Sequence, residues 1–299
     1  MDTIKVEGIV TITLSNANAD LAKQLSADVI LINSPIVIGL DDLIRDEIES
    51  IRETNQENNK LAVLLETTGG YIEVVERIVS VFRRHYDEVV FIIPNSAYSA
   101  GTVLALSGDD IMMDYYSVLG PIDPQFQTEN GDQVPGMGYI QKFKELSDAI
   151  NKPPDGDMAN VRAETAYLLK KFDPAKLFHI EQAIEHSKEL IRDWLPMYKF
   201  KNWTTRKSSG DPVTEELKSQ RAESIAEILG DAKHWHSHGR GISMTELASD
   251  KIGLQITDFG IVPDLNANVR HYHGLFSDYI NKVGYKGGIH SPRGIRRTT

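Results

Sequence analysis

The pattern of hydrophobic and polar positions predicts a sheet of buried parallel strands between helices. Leu61–Leu65 and Val89–Ile93 are short apolar runs bounded by turn residues, which is typical of strands buried on both faces of a parallel sheet. Strand, helix and strand within about thirty residues predict a βαβ unit with a right-handed crossover. The residues between the two runs that recur at helical spacing are Val75, Ile78, Val79, Phe82 and Tyr86.

Similar patterns predict further elements on both sides of this unit. Residues 127–138 are polar and rich in glycine, so they predict a mobile or substrate-shaped loop. The predicted strands are Gly8–Leu14, Val29–Ile32, Ile111–Met113 and a last strand or turn over Leu254–Val262. The predicted helices begin at Asp41 and after Ser99, cover 139–150 and 158–195 with a break at Asp173, run from Asp211 to Leu229, and follow the Ser243/Glu246 capping box over Met244–Ile252.

Composition narrows the function classes. The chain has 299 residues, of which 41% are hydrophobic and 25% charged, as in ordinary globular proteins. It has no cysteine, which excludes disulfides, thiolate chemistry and a cysteine-ligated metal. The net charge of −11 argues against a general nucleic-acid binder. No run of about eighteen apolar residues predicts a membrane span, and the first residues resemble neither a secretory signal nor a transit peptide, so we expect a cytoplasmic protein.

Charge and pattern divide the chain into three predicted parts. They are an N-terminal extension over 1–27, a main domain over 28–265 and a basic C-terminal tail over 266–299. The tail has six basic residues against one acidic residue, a net charge of +5, which leaves −16 on residues 1–265. This asymmetry favours docking of the tail within or between subunits, with nucleic-acid binding as the alternative. The sequence SPRGIRRTT at its end predicts disorder.

The loops that follow the two strands of the βαβ unit carry the candidate chemistry. Carboxyl ends of neighbouring parallel strands are where active sites gather. Ser99 lies where a strand passes into a helix, next to the small residues Ala100 and Gly101. Acyl transfer needs a hydroxyl that attacks and backbone donors where the oxyanion develops, and the N–H groups of Ala100 and Gly70 are natural donors. The alternative is that Ser99 only caps the helix, and Ser96 is a competing hydroxyl.

The order of these motifs resembles the Clp/crotonase superfamily. The motifs are TTGG before a helix, SAYSAGT after the next strand, then DDIMMD and YSVLGPIDPQ. Within the superfamily the match is to the serine peptidases that include signal peptide peptidase A and ClpP. LGPIDPQ and the later HSHGRGIS are closest to the serine dehydrogenase proteinase family.

This resemblance covers roughly residues 28–262. It implies an α/β fold, a Clp/crotonase-like β/α superhelix of ββα units with extra C-terminal helices, in which 28–265 is the serine peptidase domain. It also implies a ring or smaller homo-oligomer and a peptide or protein substrate. No cofactor is implied. The implied roles are nucleophile for Ser99 and oxyanion donors for Gly70 and Ala100.

The general base is left open between two residues. A ClpP-like enzyme would carry a histidine about twenty-five residues after its serine, but Gly120–Pro124 contains none. Relatives of signal peptide peptidase use a lysine, which acts as a base only when burial makes it neutral. Lys142 is preferred over Lys144 because Tyr139, Ile140 and Phe143 supply apolar neighbours.

His238 is the rival base. It lies in HWHSHGRGIS, where the serine dehydrogenase proteinases place a histidine, and an imidazole needs no tuning of its pKa near neutral pH. Its alternatives are a structural histidine at a turn and a metal ligand. Since no acidic pair or cysteine lies nearby, no metal site is predicted.

Two other functions stay open. A crotonase-like enzyme would use the same paired N–H groups on an acyl-CoA thioester. A non-catalytic ring-forming assembly protein would keep the fold and lose the chemistry, which the missing ClpP histidine favours. The apolar helical positions between Leu177 and Trp194 favour either self-association or an ordinary core. No GxxxxGK[ST] loop is present, so the chain itself is not expected to hydrolyse ATP.

Overall fold

The computed structural model describes residues 6–127, 133–151, 163–206, 209–231, 235 and 239–298. Strands and helices alternate along most of this length. The strands are β1 (Asp28–Asn33), β2 (Lys60–Glu66), β3 (Glu88–Ile92), β4 (Ser96–Ala97), β5 (Asp110–Met113), β6 (Val118–Leu119), β7 (Gln125–Gln127), β8 (Gln133–Pro135), β9 (Ile242–Ser243), β10 (Thr257–Asp258), β11 (Gly288–Ser291) and β12 (Gly294–Arg297). The helices are α1 (Val6–Leu25), α2 (Leu40–Thr54), α3 (Ile72–His85), α4 (Ala100–Leu106), α5 (Gly136–Asn151), α6 (Ala163–Leu169), α7 (Pro174–Trp194), α8 (Glu215–Leu229), α9 (Met244–Ala248) and α10 (Pro263–Lys282).

The main sheet has seven strands in the order β10-β5-β3-β2-β1-β11-β12. The five strands from β10 to β1 are parallel, and β11 and β12 add antiparallel pairs beside β1. The predicted βαβ unit is confirmed as β2, α3 and β3. Its apolar runs read as continuous because helices cover the sheet on both faces.

Successive residues of a strand point to opposite faces, and this divides the core in two. Val63 belongs to the layer under α2 and α3, which α4, α7 and α8 extend. Leu64 belongs to the other layer, under α1 and α10. The C-terminal part of the apolar face of α7 lies in the first core, since Leu190, Ile191 and Trp194 are buried within the chain itself. Leu177 and Ile184, nearer the start of α7, are only partly buried.

A smaller three-stranded sheet contains β4, the strand that connects β3 of the main sheet to Ser99. Its order is β4-β6-β9, with β4 parallel to β6 and β6 antiparallel to β9. Thr67, just after β2, forms a bridge with Ala97 of β4. The end of β2 and the strand that leads to Ser99 are therefore hydrogen-bonded to each other.

The predicted strand Gly8–Leu14 is wrong, because this segment is part of helix α1. The run of Val, Ile and Thr alternates with polar residues and so imitates a strand. Leu14, Ala17 and Leu21 nevertheless recur at helical spacing and are buried beside α10. Tertiary packing thus overrides the local β-propensity of the segment.

The disorder predicted for residues 291–299 is also wrong for 291–298, which the structure describes. β11 pairs with β1, placing His290 opposite Leu31, and β12 pairs with β11. The buried carboxylate of Glu47 accepts hydrogen bonds from Ser291 and from Arg296 Nε, the latter at 2.9 Å. The basic residues of this segment therefore bind an acidic helix of the same chain. The division at residues 27 and 265 stays a prediction.

Most of the remaining predicted elements are found with shifted ends. Helix α8 begins at Glu215 because Thr214 caps it, with the Leu217 N–H donating to Thr214 Oγ1 at 3.3 Å. The capping box of Ser243 and Glu246 is confirmed, although α9 ends at Ala248. The predicted loop over 127–138 contains the hairpin of β7 and β8, and residues 128–132 lie outside the described part. Across the described residues, no helix combines the length and the apolar character that crossing a membrane requires.

Candidate active site

Ser99 stands in a strained backbone conformation between β4 and α4. Its φ of 53° and ψ of −119° lie in a region that residues other than glycine rarely adopt. Ser26 is the only other non-glycine residue with positive φ in the described part of the chain. Such strain costs on the order of 1–3 kcal/mol and persists where the surrounding structure imposes it. The Ser99 side chain makes no capping hydrogen bond to α4, so the capping alternative has no support here.

Two glycines after β2 approach Ser99 closely. Gly69 and Gly70 have φ of +93° and +151°. A Cβ added to Gly69 would lie 2.9 Å from Ser99 Cβ, and one added to Gly70 would lie 2.0 Å from the Ile36 carbonyl oxygen. Only glycine fits either position, because the loop is wedged between Ile36 and the Ser99 turn.

This packing leaves two backbone N–H donors near Ser99 without an acceptor among the described residues. The Ile36 N–H donates to Gly69 O and the Tyr71 N–H donates to Ile36 O, both at 2.9 Å, so the bonds of this bridge bypass the N–H of Gly70. Among the described residues, neither Gly70 N–H nor Ala100 N–H has an acceptor. The structure therefore brings Gly70, Ser99 and Ala100 into one region with unused donors, as an oxyanion site needs.

Asp123 is a site residue that sequence reasoning missed. Ser99 Oγ donates to the backbone carbonyl of Asp123 at 3.2 Å, and Asp123 is only 4% exposed. Its Oδ1 accepts from the Met137 N–H at 2.9 Å, at the start of α5. Asp123 thus connects Ser99 to α5, the helix that carries Lys142. The only signal was its place in the segment where a ClpP-like histidine is absent.

Thr102 holds the Asp123 segment beside the Ser99 turn. Its hydroxyl contacts the carbonyls of Ala97 and Gly120 at 2.9 and 2.8 Å. The Gly120 N–H donates to Ala97 O at 3.0 Å. Thr102 is fully buried, so these bonds lie away from water. The hydroxyl of Thr102 therefore fixes the spacing between the Ser99 turn and the segment that ends at Asp123.

The structure does not bring Lys142 to Ser99. The Lys142 side chain is 60% exposed and its Nζ lies 3.3 Å from Glu145 Oε2. Two of the apolar neighbours expected to surround it, Tyr139 and Phe143, instead pack with tilted rings against Phe172, at ring-centroid distances of 4.6 and 5.5 Å. The role of Lys142 as base stays a prediction.

His238 lies outside the described residues, but the strand that follows it is described. Ile242 of β9 pairs with Leu119 of β6, which pairs with Ala97 of β4. Since β9 is antiparallel to β6, the chain enters β9 at the end of this sheet from which β4 leads to Ser99. Among the described residues, no group of three or more His, Cys, Asp or Glu side chains is placed to hold a metal ion.

One known protein family matches the region of the chain that contains this site. Residues 23–149 match the family described as ClpP-like SDH-type serine proteinase. This range includes Gly70, Ser99, Ala100 and Lys142, whereas His238 lies beyond it. The resemblance to Clp-like serine peptidases is confirmed, and so is the α/β fold of that kind with additional C-terminal helices.

Individual relatives match smaller parts of the chain. The uncharacterized proteins MJ1495 and MJ0137 of Methanocaldococcus jannaschii are each 34% identical, over 36% and 27% of this chain. The alignments span 36% and 29% of these relatives' own lengths, about a third of each.

Two solved structures were also matched. A serine-to-alanine mutant of the 1510-N membrane-bound stomatin-specific protease is 18% identical with a TM-score of 0.31, covering 53% of this chain and 82% of that one. The ClpP protease catalytic domain from Plasmodium falciparum is 15% identical with a TM-score of 0.32, covering 56% and 83%.

Proposed function

We propose, from the ClpP-like character of residues 23–149, that this chain hydrolyses peptide bonds through an acyl-enzyme on Ser99. The observation that carries the proposal is the strained Ser99 turn, together with the unused N–H donors of Gly70 and Ala100 near it. Ser99 Oγ would attack the scissile carbonyl, and the N–H groups of Gly70 and Ala100 would stabilise the oxyanion. The leaving amine takes a proton from the base, and water then releases the acyl group and regenerates the hydroxyl.

The base would be Lys142 or His238. In the structure, the hydroxyl proton of Ser99 points to the Asp123 carbonyl, so it must be redirected before a base can accept it. Lys142 would have to leave Glu145 and become neutral in a drier setting. The direction of β9 supports His238, because residues 239–241 connect it to Ile242 at the Ser99 end of the small sheet.

Substrate and assembly follow from the same proposal. The substrate would be a peptide or protein, and the chain would act as a homo-oligomer in the cytoplasm without a cofactor. The family match supports the peptide substrate and the oligomer. The C-terminal part of the apolar face of α7 gives the oligomer no support, since the chain's own core occupies it.

Labelling with a fluorophosphonate tests the nucleophile. Wild type and Ser96→Ala should form a covalent adduct, which peptide mass spectrometry should locate on Ser99, whereas Ser99→Ala should form none. Ser96→Ala is the matched control because it removes the neighbouring hydroxyl on the same turn. An adduct that persists in Ser99→Ala would show that another residue is the nucleophile. Lys142→Ala and His238→Ala, checked for fold and oligomer size, then identify the base by which one loses labelling.

A non-catalytic assembly protein is the second candidate function. It is favoured by the hydroxyl of Ser99 donating to a carbonyl, together with the absence of a base from the described contacts of Ser99. Wild type that sediments as a homo-oligomer, yet neither reacts with the probe nor cleaves peptide libraries, would favour this function.

A further inference from the structure

Glu66 lies on the opposite face of the main sheet from Ser99 and collects several hydrogen bonds there. It ends β2, where alternation places Leu65 under α2 and α3 and Glu66 toward α10. We call Glu66 and the residues that are hydrogen-bonded around it the Glu66 cluster. The cluster consists of Glu66, Asn33, Asn95, His273 and Ser277.

The carboxylate joins the ends of three parallel strands. Glu66 Oε2 accepts from Asn33 Nδ2 at 2.8 Å, at the end of β1, and Oε1 accepts from Asn95 Nδ2, just after β3. His273 Nε2 lies 2.5 Å from Oε2, which connects the cluster to α10. Burial alone would raise the pKa of Glu66, but the hydrogen bonds from His273, Asn95 and Ser277 hold it below its ordinary value. The carboxylate is thus ionised and fully engaged at neutral pH.

Each of the three strand ends leads within a few residues to a part of the candidate active site. Asn33 precedes Ile36, whose backbone brackets Gly70, and Asn95 precedes strand β4, which leads to Ser99. Glu66 itself precedes Thr67, whose N–H donates to Ser96 O at 3.0 Å and whose carbonyl accepts from the Tyr98 N–H at 3.1 Å.

The contacts of His273 do not form a catalytic triad. Ser277 Oγ, at 3.3 Å, and Glu66 Oε2 both approach the same nitrogen, Nε2. A triad needs the serine and the carboxylate on different ring nitrogens. The cluster is therefore suited to hold segments together, not to activate Ser277.

We infer that Glu66 is a positioning residue for the Ser99 site, holding the Gly70 and Ser99 segments in register from behind the sheet with His273 as its support on α10. This inference rests on the proposed function. A carboxylate that ties both segments sets the distance between nucleophile and oxyanion donors. A misplacement of about 1 Å at such a site can cost on the order of 100-fold in rate.

The test compares Glu66→Ala, Glu66→Gln and His273→Ala with Asp114→Asn. Asp114→Asn is the matched control, because Asp114 pairs with Arg270 and so anchors the same α10 helix. Arg270 also donates to Pro94 O, but the described hydrogen bonds of Asp114 reach none of Glu66, Asn33 and Asn95. Fluorophosphonate labelling is measured over a range of probe concentrations, which separates the maximal rate kinact from the half-saturating concentration KI. Melting temperatures are recorded for each variant.

We expect Glu66→Ala to lower kinact about 10- to 100-fold with KI within about twofold. Glu66→Gln, which keeps one acceptor oxygen, should lose less, and His273→Ala should fall between the wild type and Glu66→Ala. Asp114→Asn should keep kinact within about twofold even where its melting temperature falls as far. Equal losses in Glu66→Ala and Asp114→Asn would overturn the inference, because they would reflect general loosening of α10.

Hydrogen exchange keeps this test independent of catalysis. The N–H groups of Ile36, Thr67, Tyr71 and Tyr98 make the bonds that hold the site segments. Peptides that contain them should exchange faster in Glu66→Ala and unchanged in Asp114→Asn. If wild type is not labelled at Ser99, the proposed function fails, while faster exchange would still support the coupling. Unchanged exchange would overturn it whether or not the wild type reacts.

Discussion

The imidazole of His290 makes the stability of this chain depend on pH in a predictable way. His290 lies on β11, fully buried between β1 and α10. Its Nδ1 is 2.5 Å from Tyr272 Oη, and its Nε2 has no hydrogen-bond partner among the described residues. A proton added here would place a charge in an apolar layer, so burial lowers the pKa of His290 from 6.5 to about 4.

The sign and size follow from this lowered pKa. Between about pH 6.5 and 4 the unfolded chain binds a proton at this residue and the folded chain does not, so the free energy of unfolding falls as the pH falls. At about 1.4 kcal/mol per unit of pKa, full passage through this window removes roughly 3 kcal/mol. Above the unfolded pKa the contribution is constant.

Urea unfolding of wild type, His290→Gln and His179→Gln at several pH values between 7.5 and 4 measures this effect. His179 is exposed on α7, so its replacement is the matched control. Carboxylates that titrate in the same pH range contribute equally to the free energy of unfolding of each protein, so their contributions cancel when the variants are compared. We expect His290→Gln to be less stable than wild type at pH 7.5 and to lose roughly 3 kcal/mol less on acidification, while His179→Gln follows wild type. Parallel curves for wild type and His290→Gln would refute the reasoning.

Three further predictions concern backbone, packing and charge. Gly70→Ala should abolish Ser99 labelling and lower the melting temperature, because the added Cβ would lie 2.0 Å from a backbone oxygen. Gly138→Ala, whose added Cβ would have no atom within 4 Å, should leave labelling unchanged and raise the free energy of unfolding by up to about 1 kcal/mol. Leu21→Ala should lower the free energy of unfolding, measured with urea, by about 2–5 kcal/mol, because Leu21 is fully buried. Ile12→Ala should lower it little, because Ile12 is 55% exposed. Equal losses would contradict the helical structure of α1. Lys142→Ala should change the free energy of unfolding by less than about 0.5 kcal/mol, because exposed ion pairs contribute little, so any loss of labelling in it reports chemistry.

Local pattern was enough to predict the centre of the fold. The strands β2 and β3 and helix α3 follow from apolar periodicity, because both faces of the strands are covered. The same reasoning failed for Gly8–Leu14, where β-branched residues are held in a helix by contacts with α10. It also failed for residues 288–297, whose strand character depends on pairing with β1, far away in sequence.

The candidate site divides in the same way between local and distant information. The proximity of Ser99, Gly70 and Ala100 could be predicted, because they belong to short segments after neighbouring strands. Their roles stay predictions. Asp123 was missed because it contacts Ser99 through its carbonyl, which every residue has. The base could not be fixed from sequence, since it depends on where α5 and the segment around His238 lie relative to Ser99.

The pairing of β11 with β1 has a consequence for how the chain is made. Leu31 emerges from the ribosome long before His290, its partner across the sheet. Until residues 288–297 have been synthesised, β1 has one open edge beside the completed βαβ unit. Open edges of this kind recruit strands from other chains. We therefore expect nascent or C-terminally shortened chains that lack β11 to aggregate more readily than chains in which β11 covers this edge.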